Sequence, residues 1–242
     1  MREVMRWRSP ALGREMGVGR WGTFGKPVIF YPTGGGDFLD AERFWMVKAL
    51  TPLIEAGRIK LYAVDSTSRW GWANRDASPA ERVALQVAYD RYLVEELFPW
   101  IRADSGHTDQ RFAVTGASLG AYNAWVSATK HPEQIDLCVG MSGSYLQSHR
   151  MKGFWNEDWY FNDPSQFVPN LPDEEPLRRL RRDSRFIFAI GEDHENPTYS
   201  ETAFRTMNDK GIAAHLVRWR SPAGHDWPTW RTMLPAFLGA LV

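Results

Sequence analysis

Cysteine is nearly missing from this chain: Cys138 stands alone among 242 residues. One thiol forbids an internal disulfide, so the fold does not depend on oxidation. Cys138 lies in the apolar run Leu137-Cys138-Val139-Gly140-Met141 and reads as a small buried hydrophobe. Excess charge of one sign is missing too. Lys plus Arg total 29 and Asp plus Glu total 29, which excludes the basic surplus of a nucleic-acid binder. The cluster Arg178, Arg179, Arg181 and Arg182 then reads as a solvated helix face. No apolar run approaches the roughly 20 residues of a membrane-spanning helix. The first residues, Met-Arg-Glu-Val-Met-Arg-Trp-Arg, lack the apolar core of a secretion signal. A cytoplasmic location, with no membrane or nucleic-acid partner, is the expectation. Neither a G-x-x-x-x-G-K-[ST] loop nor a G-x-G-x-x-G opening a helix occurs, so phosphate cradling and dinucleotide binding are poor readings. No histidine, cysteine and carboxylate cluster has metal-ligand spacing. No metal and no other cofactor are expected.

What is present is a core. Hydrophobic residues make up 43% of the chain, enough for one domain of this length. Residues 2–8 and roughly 13–22 alternate loosely around Ser9-Pro10 and predict an antiparallel strand pair at a sheet edge. From Pro27 onward, short continuous apolar runs alternate with helical spacing. Strands are predicted at 27–31, 59–65, 111–116, 137–141, 185–190 and 214–219. Helices are predicted at 40–56, from Ser78-Pro79 to Ile101, and at 119–130, 174–182, 200–210 and 227–240. Ser78 can cap the second of these, with Pro79 at its first position. Continuous apolar strands alternating with helices predict an α/β fold, a mostly parallel sheet covered on both faces. In such sheets the site lies beyond the carboxyl ends of the strands. The aromatic-rich stretch 146–172 is too long for an ordinary connection and is a candidate cap or binding insertion in a single domain.

Chemistry gathers at the loops those strands lead into. Gly116-Ala117-Ser118-Leu119-Gly120 matches G-x-S-x-G, with an apolar strand ending just before it and a helix beginning just after. That setting makes Ser118 a candidate nucleophile: a strained turn presents its hydroxyl at a helix N-terminus, and the glycines remove side chains that would collide. A hydroxyl needs a general base at neutral pH. Of six histidines, His225 follows the last strand and precedes the last helix, and enzymes built on this elbow run in the order serine, acid, histidine. His107 and His131 follow helices on the far face, His149 lies in the irregular stretch, His215 begins a strand, and His194 falls within the acid region. The acid should follow strand 185–190, where Gly191-Glu192-Asp193-His194-Glu195 offers three carboxylates. Glu192 abuts the strand; Asp193 and Glu195 both have room to reach sideways. Oxyanion donors are expected from the N–H of Leu119 and from Pro32-Thr33-Gly34-Gly35-Gly36, with Gly34 first. Trp70, Trp72, Trp155, Trp159 and Trp227 fall on candidate site-side loops, as substrate platforms or as packing.

Phe30-Tyr31-Pro32-Thr33-Gly34-Gly35, Gly116-Ala117-Ser118-Leu119-Gly120-Ala121-Tyr122 and Gly224-His225-Asp226-Trp227-Pro228-Thr229-Trp230 together resemble the putative esterase family of α/β-hydrolases, which includes feruloyl esterases, S-formylglutathione hydrolases, siderophore esterases and mycolyl transferases. The likeness covers nearly the whole chain. It implies the α/β-hydrolase fold, Ser118 as nucleophile, His225 as base, and Glu195 as acid from its 30-residue separation from His225; the crowded loop keeps Asp193 as the alternative. The activity implied is hydrolysis of a small-molecule or carbohydrate ester through an acyl-enzyme. The alternatives are acyl transfer to an alcohol and a non-catalytic binding protein that kept the fold.

Overall fold

The structure, a computed structural model, describes residues 2–106 and 110–242. Eight strands form one sheet: β1 (Arg2–Arg8), β2 (Glu15–Trp21), β3 (Lys26–Tyr31), β4 (Ile59–Val64), β5 (Phe112–Ala117), β6 (Ile135–Met141), β7 (Arg185–Gly191) and β8 (Ala213–Trp219). Their order is β1-β2-β4-β3-β5-β6-β7-β8. β1 pairs antiparallel with β2 and β2 with β4, while every later pairing is parallel. This is the α/β architecture expected, with the antiparallel pair at one edge.

The continuous apolar strands are explained by burial on both faces. Alternate residues enter two cores. Ile29, Tyr31, Tyr62, Val64, Phe112 and Val114 face one; Val28, Phe30, Leu61, Ala63, Ala113 and Ala117 face the other. The first core is covered by helices α3 (Pro79–Tyr92), α4 (Phe98–Ser105), α5 (Leu119–Lys130) and α9 (Thr198–Asn208). The second is covered by α1 (Asp40–Arg43), α2 (Met46–Glu55) and α10 (Trp227–Leu241). Each fully buried Leu, Ile, Val or Phe contributes about 1.5–3 kcal/mol, so the two faces together hold the sheet between the helical layers.

Two predicted helices are broken. The stretch expected as one helix from Ser78 to Ile101 is α3, a π-helical turn over Leu93–Leu97, and α4. Pro99 is the cause: it has no N–H, and its ring meets the carbonyl one turn earlier, so the helix widens there. The start is as expected and stronger. Ser78 Oγ accepts from Glu81 N at 3.3 Å and Ser78 N donates to Glu81 Oε2 at 2.7 Å, a complete capping box. The stretch 40–56 splits into α1 and α2 because Trp45 takes a left-handed φ of 63°, while Phe44 stacks on Trp227 with ring centroids 4.7 Å apart.

Residues 146–172 carry short helical turns, α6 (Glu157–Phe161) and α7 (Pro164–Phe167) among them; α8 (Glu175–Asp183) follows. The stretch packs beside α5: Tyr122 Oη donates to Asn162 O at 2.7 Å, and Trp159 lies against Trp72 in a small buried cluster that includes Leu119. No helix among the described residues is long and apolar enough to cross a membrane.

Candidate active site

The turn at Ser118 is fixed by backbone. Ser118 takes φ 56° and ψ −120°, a conformation L-residues adopt rarely and at a cost of about 1–3 kcal/mol. Its N–H donates to Met141 O at 3.1 Å and its carbonyl accepts from Ser144 N at 3.0 Å. The turn is thus held from both sides by the end of β6 and the loop after it. The two glycines are steric necessities. A Cβ on Gly116 would lie 2.5 Å from Gly120 C, and one on Gly120 would lie 2.5 Å from Tyr31 O. Helix α5 therefore crosses β3 and β5 at a distance no side chain permits. The N–H of Leu119 opens α5 and has no carbonyl partner within it, so it and the helix dipole favour negative charge beside Ser118.

His225 is set by the start of α10. Asp226 caps that helix, accepting from Thr229 N at 2.9 Å, and Thr229 Oγ1 accepts from Gly224 N at 3.0 Å. Both neighbours of His225 are therefore tied down while its side chain remains 47% exposed. Ser118 and His225 line one cleft of about 400 Å³ with Thr33, Asp226, Trp227, Pro228 and Trp230. Ser118 Oγ lies 3.5 Å from Ser144 Oγ. Ring edges and faces connect the wall: His225 meets Trp230 at 5.2 Å, and Trp230 meets Trp227 at 5.3 Å.

The three carboxylates of the loop after β7 part company. Glu192 Oε2 accepts from Ser221 N at 3.3 Å. Asp193 Oδ2 accepts from Ala223 N at 2.7 Å, and Asp193 N donates to Ala223 O at 2.8 Å. The Ala223 N–H, with Ser221 second, holds the Asp193 carboxyl below the usual range. Glu195 is the one directed at the histidine. Its side chain is only 4% exposed, and Oε2 stands 3.5 Å from His225 Nδ1. A shift of about half an ångström makes that contact a hydrogen bond, and contacts of this kind tighten when substrate binds. Glu195 Oε1 accepts from Gly191 N at 2.9 Å and from Ser142 Oγ at 2.8 Å. The left-handed His194, φ 59°, turns the loop back so that this is possible.

The remaining sequence candidates fall as follows. Gly34 packs under Leu119, whose Cδ1 would lie 2.8 Å from an added Cβ, and its neighbour Thr33 reaches the cleft wall. His131 Nε2 lies 2.8 Å from Asp90 Oδ1; His149 and His215 are exposed; His194 lines a smaller pocket beside Glu195; His107 lies outside the described residues. Of the five tryptophans, Trp227 lines the cleft. Trp72 is buried and donates to Gln86 Oε1 at 2.9 Å, and Trp159 packs on it. Trp70 lies under the guanidinium of Arg14, 4.2 Å from its ring, and Trp155 is 65% exposed. Sequence reasoning passed over Ser142, Ser144 and the indole N–H of Trp230. Ser142-Gly143-Ser144 at the end of a parallel strand was the available signal.

A mostly parallel sheet, a serine at a strand–turn–helix corner and a histidine after the last strand define the α/β-hydrolase class. Within it, the chain belongs to the family described as Putative esterase, whose model matches residues 25–241, and is a carboxylesterase-type hydrolase. No curated protein matches it by sequence. Solved structures similar to it include a ferulic acid esterase (15% identity, TM-score 0.73, covering 98% of this chain and 96% of that one). Another is an S-formylglutathione hydrolase from Agrobacterium tumefaciens (17%, 0.71, 99% and 94%). A third is MPT51 from Mycobacterium tuberculosis (18%, 0.71, 99% and 97%). At these identities the likeness is one of fold.

Proposed function

We propose that the protein hydrolyses carboxylic esters through an acyl-enzyme on Ser118. The observation carrying this reading is the shared cleft of Ser118 and His225, with the buried Glu195 carboxylate behind His225 Nδ1. Glu195 Oε2 keeps the proton on Nδ1 and leaves Nε2 free as a base. Nε2 takes the Ser118 proton as Oγ attacks the ester carbonyl, and the oxyanion develops beside Leu119 N–H and a second donor from Thr33-Gly34. Collapse of the tetrahedral intermediate breaks the ester C–O bond, and the imidazolium returns its proton to the departing alcohol. Water then attacks the acyl carbon and gives a proton to Nε2; collapse breaks the bond to Ser118 Oγ, which takes that proton back from the imidazolium, and the acid leaves. Asp193, engaged with Ala223, closes the loop in this scheme and takes no proton.

The cleft suits a small-molecule or carbohydrate ester: it is bounded by Trp227 and Pro228 and keeps His225 half exposed. Fold relatives that include a ferulic acid esterase and an S-formylglutathione hydrolase support an acyl substrate, the first an ester and the second a thioester. The test is turnover of short p-nitrophenyl esters together with labelling by a fluorophosphonate. Ser118→Ala should lower kcat by at least about a thousandfold and abolish the adduct. Turnover that survives the substitution refutes the nucleophile assignment.

A further inference from the structure

Ser142 follows β6, outside the serine, histidine and carboxylate of the proposed reaction. It is 4% exposed and has φ 47°, in the left-handed region. Glycine occupies that region freely, whereas serine is strained there. The hydroxyl that accompanies the strain is fully used. Trp230 Nε1 donates to Ser142 Oγ at 2.9 Å, and Ser142 Oγ donates to Glu195 Oε1 at 2.8 Å. An indole nitrogen can only donate. Trp230 therefore occupies a lone pair of Ser142 and leaves the hydroxyl proton for the carboxylate. The backbone holds the serine in place as well, with Ser142 N donating to Ala189 O at 2.7 Å on β7.

We infer that Ser142, aligned by Trp230, is a positioning residue that aims the free oxygen of Glu195 at His225. Oε1 receives both the Ser142 hydroxyl and Gly191 N–H, so its lone pairs are engaged and Oε2 is the oxygen left for Nδ1. The same indole meets the His225 ring edge-to-face at 5.2 Å. One side chain thus bears on both halves of the acid–base pair: by a hydrogen-bond relay on the acid and by ring contact on the base. The inference rests on the proposed reading for its kinetic consequence, but the orientation of the imidazole can be observed without turnover.

Ser142→Gly removes the hydroxyl while suiting the backbone, which separates positioning from folding. With p-nitrophenyl acetate, kcat should fall at least about tenfold, since a misaligned base forfeits part of the 10²–10⁴ that general-base catalysis supplies. KM should stay within roughly twofold, because Ser142 does not line the cleft shared by Ser118 and His225, and Tm should fall only modestly, since relief of the left-handed strain offsets part of the two lost hydrogen bonds. Trp230→Phe, which keeps a ring against His225 and removes the N–H, should lose less. The double variant should be no worse than Ser142→Gly, because the indole N–H acts through the hydroxyl. In parallel, imidazole ¹⁵N shifts of the wild type should show His225 protonated on Nδ1 when neutral, and Ser142→Gly should show a mixture of tautomers. Unchanged kcat in Ser142→Gly, or a fall in kcat with the His225 tautomer unchanged, overturns the inference. Additive losses in the double variant remove Trp230 from it. If the wild type turns over no ester, the proposed activity fails, and the ¹⁵N comparison alone decides the role of Ser142: unchanged tautomers overturn it.

Discussion

The turn at Ser118 and the loop after β7 both supply one side chain to the same place, but by opposite means. Residues 116–120 are positioned almost entirely by backbone: a left-handed serine, backbone hydrogen bonds with Met141 and Ser144, and two glycines pressed against main chain. Residues 191–195 are positioned by side chains. Glu192, Asp193 and Glu195 each find a different partner, and two of the three are spent holding the loop that carries His225. A turn fixed by sterics tolerates no change of shape. A loop fixed by several hydrogen bonds can lose one and remain folded, while the chemistry proposed for it depends on a single carboxylate.

Substitutions can separate these two modes. The largest effect expected in the acidic loop is on activity alone. Glu195→Gln keeps the shape and should cost about 10³–10⁴ in kcat, because an amide no longer selects the Nδ1–H tautomer; circular dichroism and Tm should be almost unchanged. An active Glu195→Gln would break the contrast. Next in size is a loss of stability at the turn. Gly120→Ala drives a Cβ into Tyr31 O, and denaturant melts should show about 3 kcal/mol of destabilisation or failure to fold. Wild-type stability in that variant would mean that the crossing of α5 over β3 is looser than its geometry implies. Asp193→Asn should be far milder, within roughly threefold in kcat/KM, since Asp193 holds backbone and does not face His225.

The smallest expected effect is a dependence on pH. The folded Asp193 carboxyl is held below its unfolded value by Ala223 N–H and then Ser221. A depressed folded pKa gives stability that is present above the unfolded value of about 3.9 and is lost as pH falls through the folded one. The Tm of wild type should therefore exceed that of Asp193→Asn at pH 7, and the gap should close in acid, once pH falls below the folded value. A gap that persists unchanged in acid would assign the difference to packing.

Much of this architecture was legible because its causes are local. Val28 to Tyr31 and Ala113 to Val114 are apolar on consecutive positions, which only a strand covered on both faces explains. Gly116, Ser118 and Gly120 carry their own steric requirement, and the capping box at Ser78 is four residues long. Other features were legible only with weight given to one residue. Pro99 inside an otherwise helical pattern marked the widened turn between α3 and α4, a signal outweighed by the apolar spacing on either side. Tryptophans on strand-end loops were all candidate platforms in the sequence. Burial made packing residues of Trp72 and Trp159 and left Trp227 in the cleft.

The sequence by itself determined the order of strands and helices, the corner that holds Ser118 and the loops that carry His225 and the acids, since each depends on neighbours a few positions apart. Tertiary structure alone decided which carboxylate faces His225 and that Ser142 and Trp230 stand behind it. Glu195 meets Ser142 across 53 positions of chain, and Trp230 meets Ser142 across 88. Contacts at such separation leave no local pattern, because they exist only once β6, β7 and α10 have packed together.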